Sequence, residues 1–172
     1  MATIKINGKE FELKFNIKLD LDLNKAIKVE DEEKVSHKIT GGFSKVINDL
    51  IDQNVGVLAK VFEVAAKGNK DFKNVTIDEI LEAIEERMEE DGDADKLFKE
   101  VFEAIDRSAF TRNELKKFVN DMKLVRFMRS KEVSEDAALA MLNRLNSNYK
   151  SLTEKDLFDQ ETLTAIRKPI ED

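Results

Sequence analysis

Residues 3–15 read TIKINGKEFELKF, and this stretch decides how the chain begins to fold. Asn7-Gly8 is the pair that a two-residue hairpin turn favours, because both of its positions require positive φ. Apolar residues alternate with polar ones on either side of the turn, at Ile4, Ile6, Phe11, Leu13 and Phe15. A lone hairpin is only marginally stable in water. The pattern therefore predicts a β-hairpin whose apolar face is covered by other elements.

The segment that follows, residues 17–27, fits two structures. The odd-numbered residues of 17–23 are all apolar, and this period of two is typical of a strand. Asn16, however, is a favourable N-cap, and Leu19, Leu23 and Ile27 share one helical face. We favour a helix over residues 17–27.

The helical part of the chain follows a charged connector over residues 29–38 and a loop indicated by Thr40-Gly41-Gly42. From Phe43 onward, apolar residues recur every three or four positions, which is the period of an amphipathic helix. Asn54 is placed to cap a second helix, which ends near Gly68. The two predicted stripes are Phe43, Val46, Ile47, Leu50 and Ile51, then Val57, Leu58, Val61, Phe62 and Ala65.

Two capping boxes predict later helix starts, since a Thr followed three residues on by a Glu satisfies two backbone N–H groups reciprocally. Thr76 and Glu79 form the first box, and Thr111 and Glu114 form the second. Between them, Asp93 is a candidate N-cap. The hydrophobic staples are Val75 with Ile80 and Phe110 with Leu115, and the stripes are Ile80, Leu81, Ile84 and Met88, then Leu97, Phe98, Val101, Phe102 and Ile105.

The last third of the chain is also predicted to be helical. A helix over residues 112–130 begins with one stripe and adds apolar residues on a second face in its last turns. Further helices start at the candidate caps Ser134 and Thr153. The stripes are Leu115, Phe118, Val119, Met122 and Val125, then Ala138, Leu142 and Leu145, then Leu157, Leu163 and Ile166. The predicted fold is mainly α with a small N-terminal β-hairpin, a compact bundle of short helices.

Composition restricts the function. At 172 residues the chain suits one compact domain or one domain with a helical appendage. It lacks cysteine, which excludes disulfides and thiolate sites. A net charge of −7 argues against a nucleic-acid partner. No apolar run approaches the roughly 20 residues of a membrane span. We expect a soluble, cytoplasmic protein without a membrane partner.

Catalytic and metal-binding motifs are absent from the sequence, so we predict no enzyme activity, no cofactor and no metal. His37 is the single histidine and lies in the charged connector, without partners for a triad or a zinc site. Residues 91–95 resemble the opening of a calcium loop, but Lys96 and Phe102 stand where the motif needs Gly and Glu. An acidic turn between two helices, with Asp93 as N-cap, is the better interpretation.

Charge is distributed unevenly along the chain. Residues 78–95 contain ten acidic residues and one basic residue, whereas residues 112–131 contain seven basic and two acidic residues. The simpler interpretation is that two helices carry complementary solvated faces and pack near each other, with the helix through Phe98 and Phe102 between or beside them. The alternative is that one of these faces recognises a partner.

The order of these elements resembles a known family. The hairpin of residues 4–16, the leucine-rich segment ending at Leu23-Asn24, and the segments VTIDEILEAI (75–84) and LFKEVF (97–102) are similar to the tail assembly chaperones of siphophages and of prophages of Gram-positive bacteria. The resemblance covers roughly residues 3–122. It implies a chaperone-like domain over residues 1–122 and a helical C-terminal extension over residues 123–172.

The resemblance also implies a function. Members of this family coat the tape measure protein, keep it soluble, and are displaced as tail tube protein polymerises, so that the mature virion does not retain them. The expected partners are therefore the tape measure protein and, secondarily, the tail tube protein. The resemblance does not decide whether the protein also forms a homo-oligomer. The alternative is a helical adaptor or regulatory protein-binding module with no chaperone role.

Candidate partner-binding residues come from two patterns. Met88 and Met122 are flexible side chains suited to variable helix faces. Leu124, Phe127 and Met128 lie on the second apolar face of the helix over 112–130, which either the C-terminal helices or a partner must cover.

The two capping boxes generate a stability prediction. Thr76→Ala and Thr111→Ala should each lower the free energy of unfolding by about 0.5–2 kcal/mol, because each removes an N-cap acceptor. Chemical denaturation measures the change, and midpoints equal to that of the wild type would show that the helix starts are misplaced.

Overall fold

The computed structural model describes residues 1–27, 42–125 and 135–167. These contain a two-stranded antiparallel sheet and eight helices. The elements are β1 (Thr3–Ile6), β2 (Lys9–Glu12), α1 (Ile17–Ala26), α2 (Gly42–Ile51), α3 (Val55–Lys67), α4 (Ile77–Asp91), α5 (Ala94–Arg107), α6 (Ala109–Val125), α7 (Glu135–Thr153) and α8 (Gln160–Arg167). The predicted fold class is confirmed.

The hairpin has the predicted turn. Ile4 lies opposite Phe11, and the strands are joined by Asn7 and Gly8, whose φ angles are 50° and 75°. Both angles lie in the left-handed region, as a type I′ turn requires. Strand β1 packs on α4, and the Phe11 ring meets Phe62 of α3 edge-on at 6.3 Å and Phe72, between α3 and α4, edge-on at 5.0 Å between centroids.

The helical interpretation of residues 17–27 is confirmed. Asn16 caps α1 by accepting a hydrogen bond from the Leu19 backbone N–H at 2.9 Å. Leu19 and Leu23 are buried, so the 3.6-residue period decides the structure although the period of two was also present. The 29–38 connector lies outside the described residues, whereas Gly42, predicted to belong to a loop, is the first residue of α2.

Three further predicted caps are confirmed. Asn54 caps α3 and Asp93 caps α5. At α4, the Glu79 N–H donates to the Thr76 hydroxyl at 3.3 Å while the Thr76 N–H donates to the Glu79 carboxylate at 2.8 Å. This reciprocal pair is the predicted capping box.

The second capping box is wrong. Helix α6 begins at Ala109, and Ser108 accepts hydrogen bonds from the N–H groups of Thr111 and Arg112. The Thr111 hydroxyl is fully buried and donates to the Ile105 carbonyl at 2.8 Å, at the end of α5. Because one residue joins the two helices, Thr111 lies inside the first turn of α6 and not before it.

The C-terminal helices follow the predicted stripes but not all the predicted caps. Ala138, Leu142 and Leu145 are buried along α7, as predicted. Thr153 ends α7 instead of capping the next helix. Asp159 caps α8, since its carboxylate accepts from the Thr162 N–H at 2.8 Å. Ser134 and the Ile166 side chain lie outside the described part of the chain.

One apolar core connects all these elements. It runs from the hairpin through α1–α6 to Leu142, Leu145 and Leu152 of α7 and to Leu163 of α8. Helix α5 contacts α4, α6 and α7, and it buries Leu97, Phe98, Val101, Phe102 and Ile105. The division into residues 1–122 and 123–172 stays a prediction.

The revised start of α6 can be tested by two substitutions. Ser108→Ala should lower the free energy of unfolding by about 1 kcal/mol, because it removes the N-cap oxygen. Glu114→Ala should lower it by less, since Glu114 accepts no capping hydrogen bond and lies close to another carboxylate, Asp20. Urea denaturation of both variants checks this, with Thr76→Ala as the reference for a functional cap. A larger loss from Glu114→Ala than from Ser108→Ala would restore the capping box.

Candidate protein-binding site

The acidic turn between α4 and α5 is organised by its own neighbours. Gly92 has a φ of 64°, and the Asp93 carboxylate caps α5 through the Asp95 N–H at 2.8 Å. The Oδ1 atom of Asp91 pairs with Lys96, and its Oδ2 atom pairs with Arg87. These bonds hold the pKa of the Asp91 carboxyl below its usual range. The carboxylates therefore point at separate partners, and the predicted turn with Asp93 as N-cap is confirmed.

Residues 1–27, 42–125 and 135–167 contain neither a metal-binding cluster nor a helix that could span a membrane. Within them, no group of three or more His, Cys, Asp or Glu side chains is arranged to hold a metal ion. Among the helices of the same ranges, none has the length and apolar character needed to cross a membrane. His37 lies outside the described residues.

The acidic and basic segments are separated by α5, which contacts both α4 and α6. Carboxylates of α4 pair with Lys5 of the hairpin, with Lys96 of α5, and with Arg87 on their own helix. On α6, Lys123 pairs with Asp159 at the start of α8. These ion pairs lie within α4 or join α4 and α6 to other elements, and none of them joins α4 to α6.

The predicted partner-binding residues occupy different environments. Met122 is 1% exposed and Met88 is half-buried against the core. Leu124 is 52% exposed, although the rest of its helix buries Leu115, Phe118 and Met122. Phe127 and Met128 lie outside the described residues. Leu124 is therefore the candidate that a partner reaches without a change in the fold, and its role stays a prediction.

Two further exposed residues were missed in the sequence. Ile17 and Leu21 are 57% and 53% exposed on α1. They are four residues apart, so they lie side by side on one face of the helix. The sequence did contain the information, because a helix over 17–27 leaves Ile17 and Leu21 outside the face that Leu19 and Leu23 form. The competing strand pattern, which places all odd residues on one face, concealed it.

Ile17 and Leu21 of α1 and Leu124 of α6 lie on two helices that pack against each other. Glu114 and Lys117 of α6 are near enough to α1 for their charges to act on Asp20. Leu124 follows Lys117 by seven residues and therefore shares its face. Ile17 and Leu21 lie three residues before and one residue after Asp20. We call the set of Ile17, Leu21 and Leu124 the α1–α6 surface.

Helix α1 also carries a buried carboxylate, Asp20. Asp20 is 8% exposed, and its Oδ2 accepts a hydrogen bond from the Asn24 side chain at 3.2 Å. Its Oδ1 has no hydrogen-bond partner among the described residues. Burial raises the pKa of the Asp20 carboxyl, and the nearby Glu114 carboxylate raises it further, against the opposing effects of Asn24 and Lys117.

Comparison with known proteins adds one match. Residues 3–120 match the model of a family described as phage tail assembly chaperone protein, TAC. No curated protein matches the chain. No solved structure matches it either.

The different exposures of Leu21, Leu124 and Met122 generate a stability prediction. Leu21→Gln and Leu124→Gln should each change the free energy of unfolding by no more than about 0.5 kcal/mol, because surface substitutions rarely cost more. Met122→Gln should lower it by more than about 2 kcal/mol, since it buries an amide among apolar side chains. Denaturant midpoints compare the three. Strong destabilisation by Leu124→Gln would mean that Leu124 belongs to the core.

Proposed function

Since the chain belongs to the phage tail assembly chaperone family, we propose that it binds the tape measure protein, keeps it soluble, and is displaced as the tail tube polymerises. The observation that carries the proposal is the α1–α6 surface. Of the six large apolar side chains that the described residues expose, three lie on these two adjacent helices.

The geometry suits a helical ligand. Two packed helices leave a shallow groove between them, and an amphipathic helix can place its apolar stripe there. A long amphipathic helix with an uncovered stripe tends to aggregate, because exposed apolar patches associate. If Ile17, Leu21 and Leu124 cover that stripe, its apolar side chains can no longer associate with those of another tape measure chain.

The same surface also allows the chaperone to be released from the tape measure protein. Each of the three side chains is already about half-covered by its own fold, so a ligand buries only the remaining area of each. Affinity from a few such contacts is modest, and multiple copies along one long ligand would supply the total. A competing tail tube protein can then displace the copies one at a time. This role places the protein in the host cytoplasm during assembly and outside the mature virion.

Co-expression tests the proposal. Overlapping segments of the tape measure protein are produced with the wild-type chain, and the soluble fraction of each segment is measured. At least one segment should become soluble, and Leu21→Gln combined with Leu124→Gln should reduce that fraction several-fold.

A matched double variant controls for general effects of removing exposed apolar side chains. Val55→Gln with Leu81→Gln changes two residues of similar chemistry on α3 and α4, which are 40% and 38% exposed. It should solubilise like the wild type. If both double variants lose the same share of the soluble tape measure segment, the α1–α6 surface is not the binding site. If the wild type solubilises no segment, the adaptor or regulatory role replaces the chaperone role.

A further inference from the structure

A cavity of about 370 Å³ is lined by α6, by the end of α5, by α7 and by the segment that joins α7 to α8. Its α6 wall is one face of that helix, because the lining residues recur every three or four positions: Arg112, Leu115, Lys116, Val119 and Asn120. The opposite wall contains Tyr149 and Leu157. The family model matches residues 3–120, so the part of the chain beyond the match completes the cavity.

The wall between α7 and α8 is held in place by Asn146. This residue is 5% exposed, and its Oδ1 accepts hydrogen bonds from the Leu157 and Phe158 N–H groups at 2.8 and 3.4 Å. Its Nδ2 donates to the Asp156 carboxylate at 3.1 Å. Both ends of a buried amide therefore fix this wall, so that the cavity exists before a ligand binds.

The acidic groups of the cavity are already paired. The Asp106 carboxylate pairs with Lys155 at 3.2 Å. The Asp156 carboxylate pairs with Lys150 at 3.1 Å, in addition to its bond from Asn146. Neither carboxylate therefore leaves an uncompensated negative charge in the cavity.

Two basic groups of the cavity have no carboxylate partner among the described residues. Arg112 is exposed, and its Nε donates at 2.8 Å to the Asp106 backbone carbonyl, which is a neutral acceptor. Lys116 is exposed and forms no hydrogen bond or ion pair within residues 1–27, 42–125 and 135–167. The uncompensated charge of the cavity is therefore positive.

Apolar side chains form the floor of the cavity. Leu115, Tyr149 and Leu157 are each 7% exposed, and Val119 is half-buried, whereas the polar residues that α6 contributes are exposed and form the rim. The volume is near the lower end for ligand pockets. It suits one large side chain with its neighbouring residues rather than the length of a helix.

We propose that this cavity binds an acidic peptide segment of a partner protein. The segment inserts one large apolar side chain over Leu115 and Val119 and places a flanking carboxylate on Arg112 and Lys116. Burial of the apolar side chain supplies affinity, and pairing of the carboxylate selects the partner by charge. Nucleic acid fits less well, because two basic groups neutralise few phosphates and the apolar floor would stay uncovered. The cavity shares no residue with the α1–α6 surface, so this inference goes beyond the proposed function.

Short peptides test both halves of the contact. The probe is Ac-Glu-Glu-Phe-Glu-Glu-NH₂, compared with one peptide that has Ala at the centre and one that has Lys in place of each Glu. Each is titrated into the isotope-labelled full chain, and amide chemical shifts are measured by NMR. The acidic Phe peptide should shift amides of residues 112–120 and 149–157 with a Kd of about 1 mM or lower, which a few contacts can supply. The other two should bind at least about fivefold more weakly, because each lacks one half of the contact.

Lys116→Glu and Lys117→Glu form a matched pair of variants. Both reverse one exposed charge of α6, but Lys117 pairs with Glu114 and does not line the cavity. Lys116→Glu should weaken binding of the acidic Phe peptide about five- to tenfold, since repulsion replaces attraction, and Lys117→Glu should weaken it less than about twofold. Circular dichroism checks that both variants fold, and the comparison of the three peptides decides the inference if either does not.

Three results would overturn the inference. Equal weakening by the two variants would mean that net charge alone attracts the peptide. Shifts confined to residues outside the cavity would place binding elsewhere, and no binding of the acidic Phe peptide to the wild type would remove the site. These experiments use no tape measure segment, so none of these results bears on the proposed function.

Discussion

Short helices impose the main constraint on this fold. The described helices contain between 8 and 19 residues, and most isolated helices of such lengths are marginal in water. Their stability must therefore come from a shared core. Helix α5 is an example, because its five buried apolar side chains lie on a helix that contacts α4, α6 and α7. The hairpin depends on the same core, since two strands alone do not bury enough apolar surface.

Arg87 shows how the acidic segment is joined to this core. It is the single basic residue within 78–95, and its guanidinium donates to the Thr3 carbonyl at 2.6 Å, to Asp91 at 2.7 Å and to Glu100 at 3.2 Å. One half-buried side chain thus connects β1, α4 and α5. A planar guanidinium with five donors can satisfy three acceptors at once, which an ammonium group does with less fixed geometry.

The C-terminal helices contribute to the fold beyond the residues that the family model matches. Helix α7 contacts α2 and α5, and its Tyr149 ring meets the Phe102 ring edge-on at 5.3 Å between centroids. Leu124 nevertheless stays 52% exposed, so α7 and α8 leave it uncovered. Under the proposed function, stability and recognition use different faces of α6: Met122 and Phe118 belong to the core, and Leu124 would contact the partner.

The sequence by itself determined the local structure, because the responsible interactions are short-range. The Asn7-Gly8 turn, the Thr76 capping box and the stripe of α5 depend on residues within a few positions of one another. Only the tertiary structure decided how those elements meet. Ser108 replaced Thr111 as the N-cap because the Thr111 hydroxyl is buried against the end of α5. Asp20 became a buried carboxylate beside Leu21 because α6 packs against α1, a contact between residues almost a hundred positions apart that no local pattern encodes.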